Sequence, residues 1–236
     1  MEIFKLLAPS LNKLPVPFIR FLGEIATTYL LKRYATIEIK GIETIKERVN
    51  KPTIFISNHL SNVDGIILNR ILRENSISFM AGVKLGKNPF TSFFLKTVNH
   101  ISINPGSPDK TAIKSALAHL KNNGSIMIFP EGTRSRTGSL IEAKKGFVLM
   151  VKMAGVPVVP IALEGTEKLL PVDDNDMGSE KPHKADVKIS IGKPFILPSK
   201  DELGDSEDWA AKCTEFSMYR IAEMLEPKYQ GVYRKA

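Results

Sequence analysis

Two short apolar runs constrain the fold of this chain more than any other feature. Residues 53–57 read TIFIS and residues 125–129 read SIMIF, and neither run contains a charged side chain. Continuous apolar runs of this length are typical of strands that are buried on both faces of a sheet. Because strand-like and helix-like segments alternate along the rest of the chain, we predict an α/β fold with a mixed sheet flanked by helices.

The remaining elements are predicted from the period of their apolar residues. Strands are expected at residues 36–40, 77–81, 101–103 and 187–191. Helices are expected at residues 63–74, 111–121, 142–154 and 205–229, the last divided near Pro227. Residues 169–185 are polar and are predicted to form a mobile loop. Residues 156–165 contain Pro157 and Pro160, which lack a ladder N–H, so this apolar stretch fits a strand start, an edge strand or a kinked core strand.

Composition narrows the class of partner. The 236 residues suffice for one sizeable domain and a small appendage. A formal net charge of +8 suits nucleic acid or an anionic membrane face. The sequence contains no zinc-finger spacing, aromatic RNA-binding motif or long basic helix, so no nucleic-acid partner is predicted. The single cysteine, Cys213, excludes an intramolecular disulfide and is predicted to pack in the core or in an interface.

Residues 1–35 are interpreted as a membrane-interface segment that precedes an α/β domain at residues 36–236. Pro15 and Pro17 divide this segment into two helices. In the second helix, apolar residues recur at helical spacing: Phe18, Phe21, Leu22, Ile25, Tyr29 and Leu30. No uncharged run reaches the roughly 18 residues of a spanning helix, so we predict two amphipathic helices lying in the interface. The alternative is that their apolar face packs on the protein's own core.

The segment that follows the first apolar run offers a base and a carboxylate. Residues 58–64 read NHLSNVD, which places His59 and Asp64 five positions apart. On a single helix these side chains would point about 140° apart, so His59 must lie in a loop and Asp64 in the first turn of the next helix. A neutral imidazole oriented by a carboxylate is suited to removing a proton from a hydroxyl. The four histidines are scattered without ligand spacing, so no metal site is predicted.

The segment that follows the second apolar run offers a phosphate-binding turn. Residues 130–135 read PEGTRS. Gly132 lets the backbone approach a ligand closely, and Arg134 presents a planar fork that can bind phosphate in two places. Taken alone, such a turn is more often a surface loop with a solvated charge.

The two segments together, about seventy residues apart, resemble the glycerophospholipid acyltransferase family, which includes the 1-acylglycerol-3-phosphate acyltransferases. The first motif of that family reads Asn-His-x-x-x-x-Asp and the third reads Glu-Gly-Thr-Arg, and the resemblance covers roughly residues 36–196. It implies that His59 is the general base and that Asp64 orients it. It also implies that Glu131 and Arg134 help to bind the acceptor phosphate, in a turn shaped by Gly132 and Thr133.

The second motif of the family is matched less well. The corresponding residues 99–105 read NHISINP, so Pro105 stands where the family places an Arg for the acceptor phosphate. Lys84 matches a basic residue that is common upstream of this motif and is a candidate phosphate ligand. The missing Arg leaves the identity of the acceptor open.

The resemblance implies an enzyme that moves an acyl group from a coenzyme A or acyl carrier protein thioester to 1-acylglycerol-3-phosphate, giving phosphatidic acid. Such an enzyme would act at the cytoplasmic face of a membrane and need no cofactor beyond the thioester. Glycerol-3-phosphate, another lysophospholipid or an aminolipid are alternative acceptors. Two other classes stay open: a non-catalytic membrane-binding protein on the same scaffold, and a metal-dependent phosphohydrolase with His59 and Asp64 as ligands.

Overall fold

The computed structural model describes residues 10–87, 89–104, 109–173, 180–203 and 208–235. The strands are β1 (Ala35–Lys40), β2 (Ile54–Ser57), β3 (Ile77–Gly82), β4 (His100–Ile103), β5 (Ser125–Ile128), β6 (Val158–Glu164) and β7 (Ala185–Ile191). The helices are α1 (Val16–Tyr34), α2 (Ile42–Glu47), α3 (Val63–Ile71), α4 (Pro89–Thr97), α5 (Lys110–Lys121), α6 (Gly146–Ala154), α7 (Thr166–Leu169) and α8 (Trp209–Ala222). Short 3-10 turns lie at Arg73–Asn75, Val83–Lys87, Pro227–Tyr229 and Gly231–Tyr233.

The strands form one seven-stranded sheet in the order β1-β7-β6-β2-β5-β3-β4. Five neighbouring strands, β6, β2, β5, β3 and β4, run parallel to one another. β7 runs antiparallel to β6 and parallel to β1, so the predicted mixed sheet is confirmed. The loops after β2, β5 and β3 therefore leave the sheet at one edge, which is where open α/β sheets bind ligands.

The apolar runs are continuous because both faces of the sheet are covered. Ile54 and Ile56 of β2 join a hydrophobic cluster with α5, α6 and α8. Phe55, between them, joins a second cluster with α3 and the end of α1 on the opposite face. All three side chains are 0% exposed. Cys213 is likewise buried in the first cluster, as predicted.

Most predicted elements are present with shifted ends. The predicted helix 142–154 begins only at Gly146, because residues 141–144 continue the loop that follows β5. The predicted closing helix 205–229 is instead α8, which ends at Ala222, followed by a separate 3-10 turn that begins at Pro227. Glu180 lies in the predicted polar loop 169–185, directly after the residues that the structure does not describe. Its side chain is buried rather than solvated.

The stretch with two prolines forms a fully buried central strand, β6, and not an edge strand. Pro157 precedes the strand, and its carbonyl accepts a hydrogen bond from the Ile54 N–H at 3.0 Å. The Pro160 carbonyl accepts from the Gly192 N–H at 2.9 Å, just beyond the end of β7. The N–H and C=O of a strand residue point to the same side. The missing N–H of Pro160 would therefore point towards Gly192, beyond the end of β7, and not towards β2. No hydrogen bond between β6 and β2 is lost.

Helix α1 has one face on the protein and one face in solvent. Ile19, Gly23 and Leu31 are buried, and Gly23 contacts Thr97 of α4. Other apolar side chains of this helix are about half exposed or more: Val16, Phe18, Phe21, Ile25 and Tyr29. Residues 1–9, and with them most of the first predicted helix, lie outside the described residues, so the two-helix interpretation stays a prediction. Among the described helices, none is both long and apolar enough to cross a membrane.

Candidate active site

His59 lies in the loop after β2, and Asp64 lies in the first turn of α3, as their spacing requires. The two side chains are in contact, since His59 Nδ1 lies 2.8 Å from Asp64 Oδ2. The Asp64 side chain is 0% exposed, whereas the His59 side chain is 20% exposed. The carboxylate is thus inside the protein, and the imidazole reaches the surface at the ligand-binding edge of the sheet.

The Asp64 carboxylate also folds the loop that carries the histidine. Its Oδ2 atom accepts hydrogen bonds from the backbone N–H groups of Leu60, at 2.7 Å, and Ser61, at 2.8 Å. An ionised carboxylate only accepts hydrogen bonds, so the proton in the contact with His59 is on Nδ1. The second ring nitrogen, Nε2, then presents its lone pair, which is the arrangement that a general base needs.

The His59 ring is also held from the side. It stacks on the ring of Phe129, with centroids 4.0 Å apart and planes inclined by 15°. Phe129 follows β5, the neighbour of β2 in the sheet, so the packing of the two strands brings the rings together. Asp64 fixes the edge of the imidazole and Phe129 fixes its plane.

Glu131 lies behind the loop. Its Oε1 atom accepts from the His59 N–H at 2.8 Å, and its Oε2 atom accepts from the Ile141 N–H at 3.0 Å. Burial raises the pKa of this carboxyl to about 7, while the two backbone N–H groups act in the opposite direction and the charge of Asp64 raises it further. Both oxygens are turned towards the backbone, so a contact between Glu131 and an acceptor phosphate stays a prediction.

Further hydrogen bonds fasten the loop to distant segments, and the sequence interpretation missed them. The Asn58 amide pairs with the backbone of Leu163 in β6 through two bonds of 2.8 Å. The Ser135 N–H donates to the His59 carbonyl at 2.7 Å. An Asn directly after a buried strand is a usable signal, because a side-chain amide there can replace ladder hydrogen bonds at the strand's end.

The turn after β5 has the conformation that its glycine suggested. Gly132 has φ +70, in the left-handed region, and its N–H donates to the Phe129 carbonyl at 3.0 Å. Thr133 is exposed, and its hydroxyl accepts from Arg136 Nη1 at 3.1 Å. This turn brings Arg134 beside the His59 loop, because the N–H of the next residue, Ser135, donates a hydrogen bond to the His59 carbonyl.

Arg134 is engaged in a buried ion pair that the sequence interpretation did not foresee. Its Nη1 atom lies 2.9 Å from Oε1 of Glu180. The Arg134 side chain is 10% exposed and that of Glu180 is 0% exposed. Asn62, in the His59 loop, donates from Nδ2 to both Glu180 oxygens, at 2.9 and 2.8 Å. No signal in the sequence separates Glu180 from the acidic residues around it.

The other phosphate candidate, Lys84, is exposed and lies in the 3-10 turn after β3. It is at the same edge of the sheet as His59, but β5 separates β3 from β2, which places the two strands about 10 Å apart. Pro105 lies outside the described residues, so the structure says nothing of the missing Arg. Within the described ranges, no group of three or more His, Cys, Asp and Glu side chains could hold a metal ion.

The raised pKa of Glu131 predicts a pH-dependent stability. Between about pH 4.5 and 7 the folded protein holds a proton that the unfolded chain releases, so the Glu131 carboxyl lowers stability progressively as pH rises through this window. The free energy of unfolding of wild type, relative to Glu131→Gln, should fall by on the order of 3 kcal/mol between pH 5 and pH 8. Urea unfolding at several pH values measures this difference.

Glu226→Gln serves as the control for this measurement. Lys188 and Lys228 lower the pKa of Glu226 to about 2, so its ionisation does not change between pH 5 and 8. The difference between wild type and this variant should therefore be constant over the same range. If the free energy of unfolding changes with pH in the same way for wild type and Glu131→Gln, the Glu131 carboxyl is not held neutral by burial.

Comparison with known proteins places these residues in a family. Over 190 residues the chain is 28% identical to the chloroplast 1-acyl-sn-glycerol-3-phosphate acyltransferase of Brassica napus, a match that covers 80% of this chain and 53% of that one. It is also 28% identical to the 1-acyl-sn-glycerol-3-phosphate acyltransferase of Bacillus subtilis, over 80% of this chain and 90% of that one. The chain thus spans about half the length of the plant relative.

The fold is shared with a solved structure. The crystal structure of the 1-acyl-sn-glycerophosphate (LPA) acyltransferase PlsC from Thermotoga maritima matches 89% of this chain and 79% of that one, with a TM-score of 0.60 and 24% sequence identity. At this identity the likeness is one of fold. Residues 36–164, which include the His59 loop and the Arg134 turn, match the sequence model of the Acyltransferase family. This match covers more than half of the chain, and the chain therefore belongs to the acyltransferase family.

Proposed function

We propose that this protein transfers a fatty acyl group from an acyl thioester to the hydroxyl of 1-acylglycerol-3-phosphate, giving phosphatidic acid. The observation that carries the proposal is the oriented imidazole of His59, with Nδ1 held by buried Asp64 and the ring 20% exposed beside the Arg134 turn. The names of the relatives from Brassica napus and Bacillus subtilis support the same acceptor.

The proposed reaction is a direct acyl transfer. Nε2 of His59 takes the proton of the acceptor hydroxyl as its oxygen attacks the thioester carbonyl carbon. The new C–O bond forms, the C–S bond breaks, and the imidazolium returns the proton to the leaving thiolate. Asp64 holds the ring and stabilises the imidazolium while it carries the proton. Glu131 acts as a positioning residue, because it binds the backbone N–H of His59 rather than the ring.

Arg134 is proposed as the main phosphate ligand, with Lys84 as a weaker contributor from the turn after β3. A guanidinium can bind a phosphate through two parallel N–H groups, and its partial burial strengthens the contact. The thioester donor is coenzyme A or acyl carrier protein. Glycerol-3-phosphate and other lysophospholipids stay alternative acceptors, to be separated by a panel of acceptors with purified protein.

Helix α1 is proposed as the membrane contact, at the cytoplasmic face. Its solvent side carries Phe18, Phe21, Ile25 and Tyr29, a stripe at helical spacing that continues along the helix. Its last turn carries Lys32 and Arg33, which suit an anionic surface. Because the opposite side packs on α4, the helix can rest on a bilayer without leaving the protein.

Replacement of the base should abolish transfer. We expect His59→Ala to lower kcat by 10²–10⁴-fold, the usual contribution of general-base assistance, with the fold intact. Asp64→Asn should also lower kcat, since the imidazole loses its orientation and charge partner. The measurement is thiol release from acyl-CoA in the presence of lysophosphatidic acid. The control is His119→Ala, since His119 is a histidine outside this loop, with Nε2 2.8 Å from the Ser76 carbonyl. Wild-type turnover by folded His59→Ala contradicts the mechanism.

Loss of the guanidinium should act selectively on the phosphorylated acceptor, in addition to the stability lost when Glu180 is left without its partner. We expect Arg134→Ala to lower kcat/KM for lysophosphatidic acid by roughly 10–150-fold, the worth of a charge-assisted pair, and to leave the slow reaction of monoacylglycerol nearly unchanged. Arg73→Ala is the matched control, because Arg73 is also ion-paired, to Glu24, but lies on the exposed surface. Equal losses with both acceptors indicate that Arg134 supports the fold instead.

The exposed stripe of α1 should determine membrane binding. We expect the double change Phe21→Ser and Ile25→Ser to weaken co-flotation with anionic liposomes by tenfold or more, because two large apolar side chains are worth about 3 kcal/mol or more on burial. Leu149 and Met153 of α6 are also exposed and one turn apart, so Leu149→Ser with Met153→Ser is the matched control. If the control pair weakens flotation and the α1 pair does not, the membrane site lies on α6.

A further inference from the structure

The Glu180 carboxylate occupies an anion site built by the loop that carries His59 and by the Arg134 turn. It is 0% exposed and is bonded at 2.9 Å by Arg134, whose guanidinium has no other hydrogen-bond partner among the described residues. Asn62 donates to both of its oxygens, and the Asp173 N–H lies 3.3 Å from Oε1. A guanidinium, a side-chain amide and a backbone N–H form the donor set that phosphate oxygens use in proteins.

The position of this site indicates that it binds substrate and does not only stabilise the fold. Asn62 belongs to the same loop as His59 and lies three residues further along the chain. Arg134 precedes Ser135, whose backbone N–H donates a hydrogen bond to the His59 carbonyl. An anion held by Asn62 and Arg134 therefore lies between the loop that carries His59 and the turn that is hydrogen-bonded to this loop. In the structure, the anion at this site is the protein's own Glu180 carboxylate.

The charges of Arg134 and Glu180 cancel while the pair is intact. A phosphate that approaches Arg134 then meets a guanidinium whose charge is neutralised and a buried carboxylate of its own sign. The phosphate gains little from this pair unless it takes the place of the carboxylate, because like charges in a partly buried site repel strongly.

We propose that Glu180 is an internal competitor for the acceptor phosphate and thereby sets the affinity of the enzyme for its acceptor. This inference rests on the proposed function in taking the acceptor to be a phosphorylated lipid. When the acceptor binds, its phosphate replaces the Glu180 carboxylate on Arg134 and Asn62. When it leaves, Glu180 returns, so that neither of the partly buried donors, Arg134 and Asn62, stays unsatisfied. The apparent Kd of a phosphorylated acceptor is then its intrinsic Kd divided by the fraction of protein in which the site is empty of Glu180.

The test uses the full chain and its Glu180→Gln variant, which keeps the shape of the side chain and removes its charge. Inorganic phosphate and glycerol-3-phosphate are titrated in a phosphate-free buffer at constant ionic strength, with calorimetry and thermal unfolding as readouts. We expect the Kd of both ligands to fall roughly tenfold or more in the variant. The variant should unfold at lower temperature without ligand, because Arg134 loses its counter-charge, and should gain more from phosphate than wild type does.

The kinetic arm uses lysophosphatidic acid with an acyl thioester. The KM for lysophosphatidic acid should fall by a similar factor with kcat not raised, whereas the KM for monoacylglycerol should not change. Glu226→Gln, which also removes an ion-paired glutamate charge, should behave as wild type. Glu180→Ala is the second variant, and it should tighten phosphate binding in the same direction even if it unfolds more readily.

The outcomes separate this inference from the proposed function. Weaker or unchanged phosphate binding in Glu180→Gln, with a raised KM, means that Glu180 holds Arg134 permanently in place, and the inference is overturned. Turnover of lysophosphatidic acid by wild type would still support the proposed function in that case. Tighter phosphate binding by the variant, with no turnover of any phosphorylated acceptor by either protein, overturns the proposed function and leaves the competitor role of Glu180 standing.

Discussion

A single buried oxygen atom determines the conformation of the loop on which the chemistry rests. Oδ2 of Asp64 accepts from the His59 ring and from the backbone of Leu60 and Ser61. One carboxylate therefore closes the loop, selects the imidazole tautomer and supplies the counter-charge for a protonated ring. A neutral amide oxygen in its place would accept these hydrogen bonds more weakly and supply no counter-charge, so the shape of the loop and the stability of a protonated imidazole depend on the same group.

The second buried carboxyl group, Glu131, connects this loop to the loop that follows β5, the neighbouring strand of the sheet. It spans from the His59 N–H to the Ile141 N–H, and Phe129, two residues before it, stacks on the imidazole. The strands β2 and β5 are neighbours and parallel, so their carboxyl ends deliver the two loops to one place without a long excursion of the chain. The His59 loop and the Arg134 turn are thus brought together by the sheet and are then joined directly, through the Ser135 N–H and the Glu131 carboxyl.

Local patterns predicted the parts of the structure that depend on local sequence. The apolar runs identified β2 and β5, and the spacing of His59 and Asp64 required the loop-to-helix geometry that is present. The contacts that the sequence did not reveal join residues far apart: Asn58 to Leu163, and Arg134 to Glu180. Side chains of these types are more often solvated, and only the packing of the sheet brings them together. The sequence leaves open whether the strand with Pro160 is central or at an edge for a related reason, since the tolerance of Pro160 in β6 depends on where β7 ends.

The pairing of β1 with β7 has a consequence for biosynthesis. Ile37 pairs with Val187, so the first strand of the sheet finds its partner only after 150 further residues have been made. At 5–20 residues per second this takes about 8–30 s on the ribosome. During that time β1 lacks its partner strand, and the side chains of the α1 stripe, which are exposed even in the folded protein, are uncovered as well. If α1 binds a bilayer, as proposed, early contact would cover this stripe and shield the chain from aggregation before the sheet is closed.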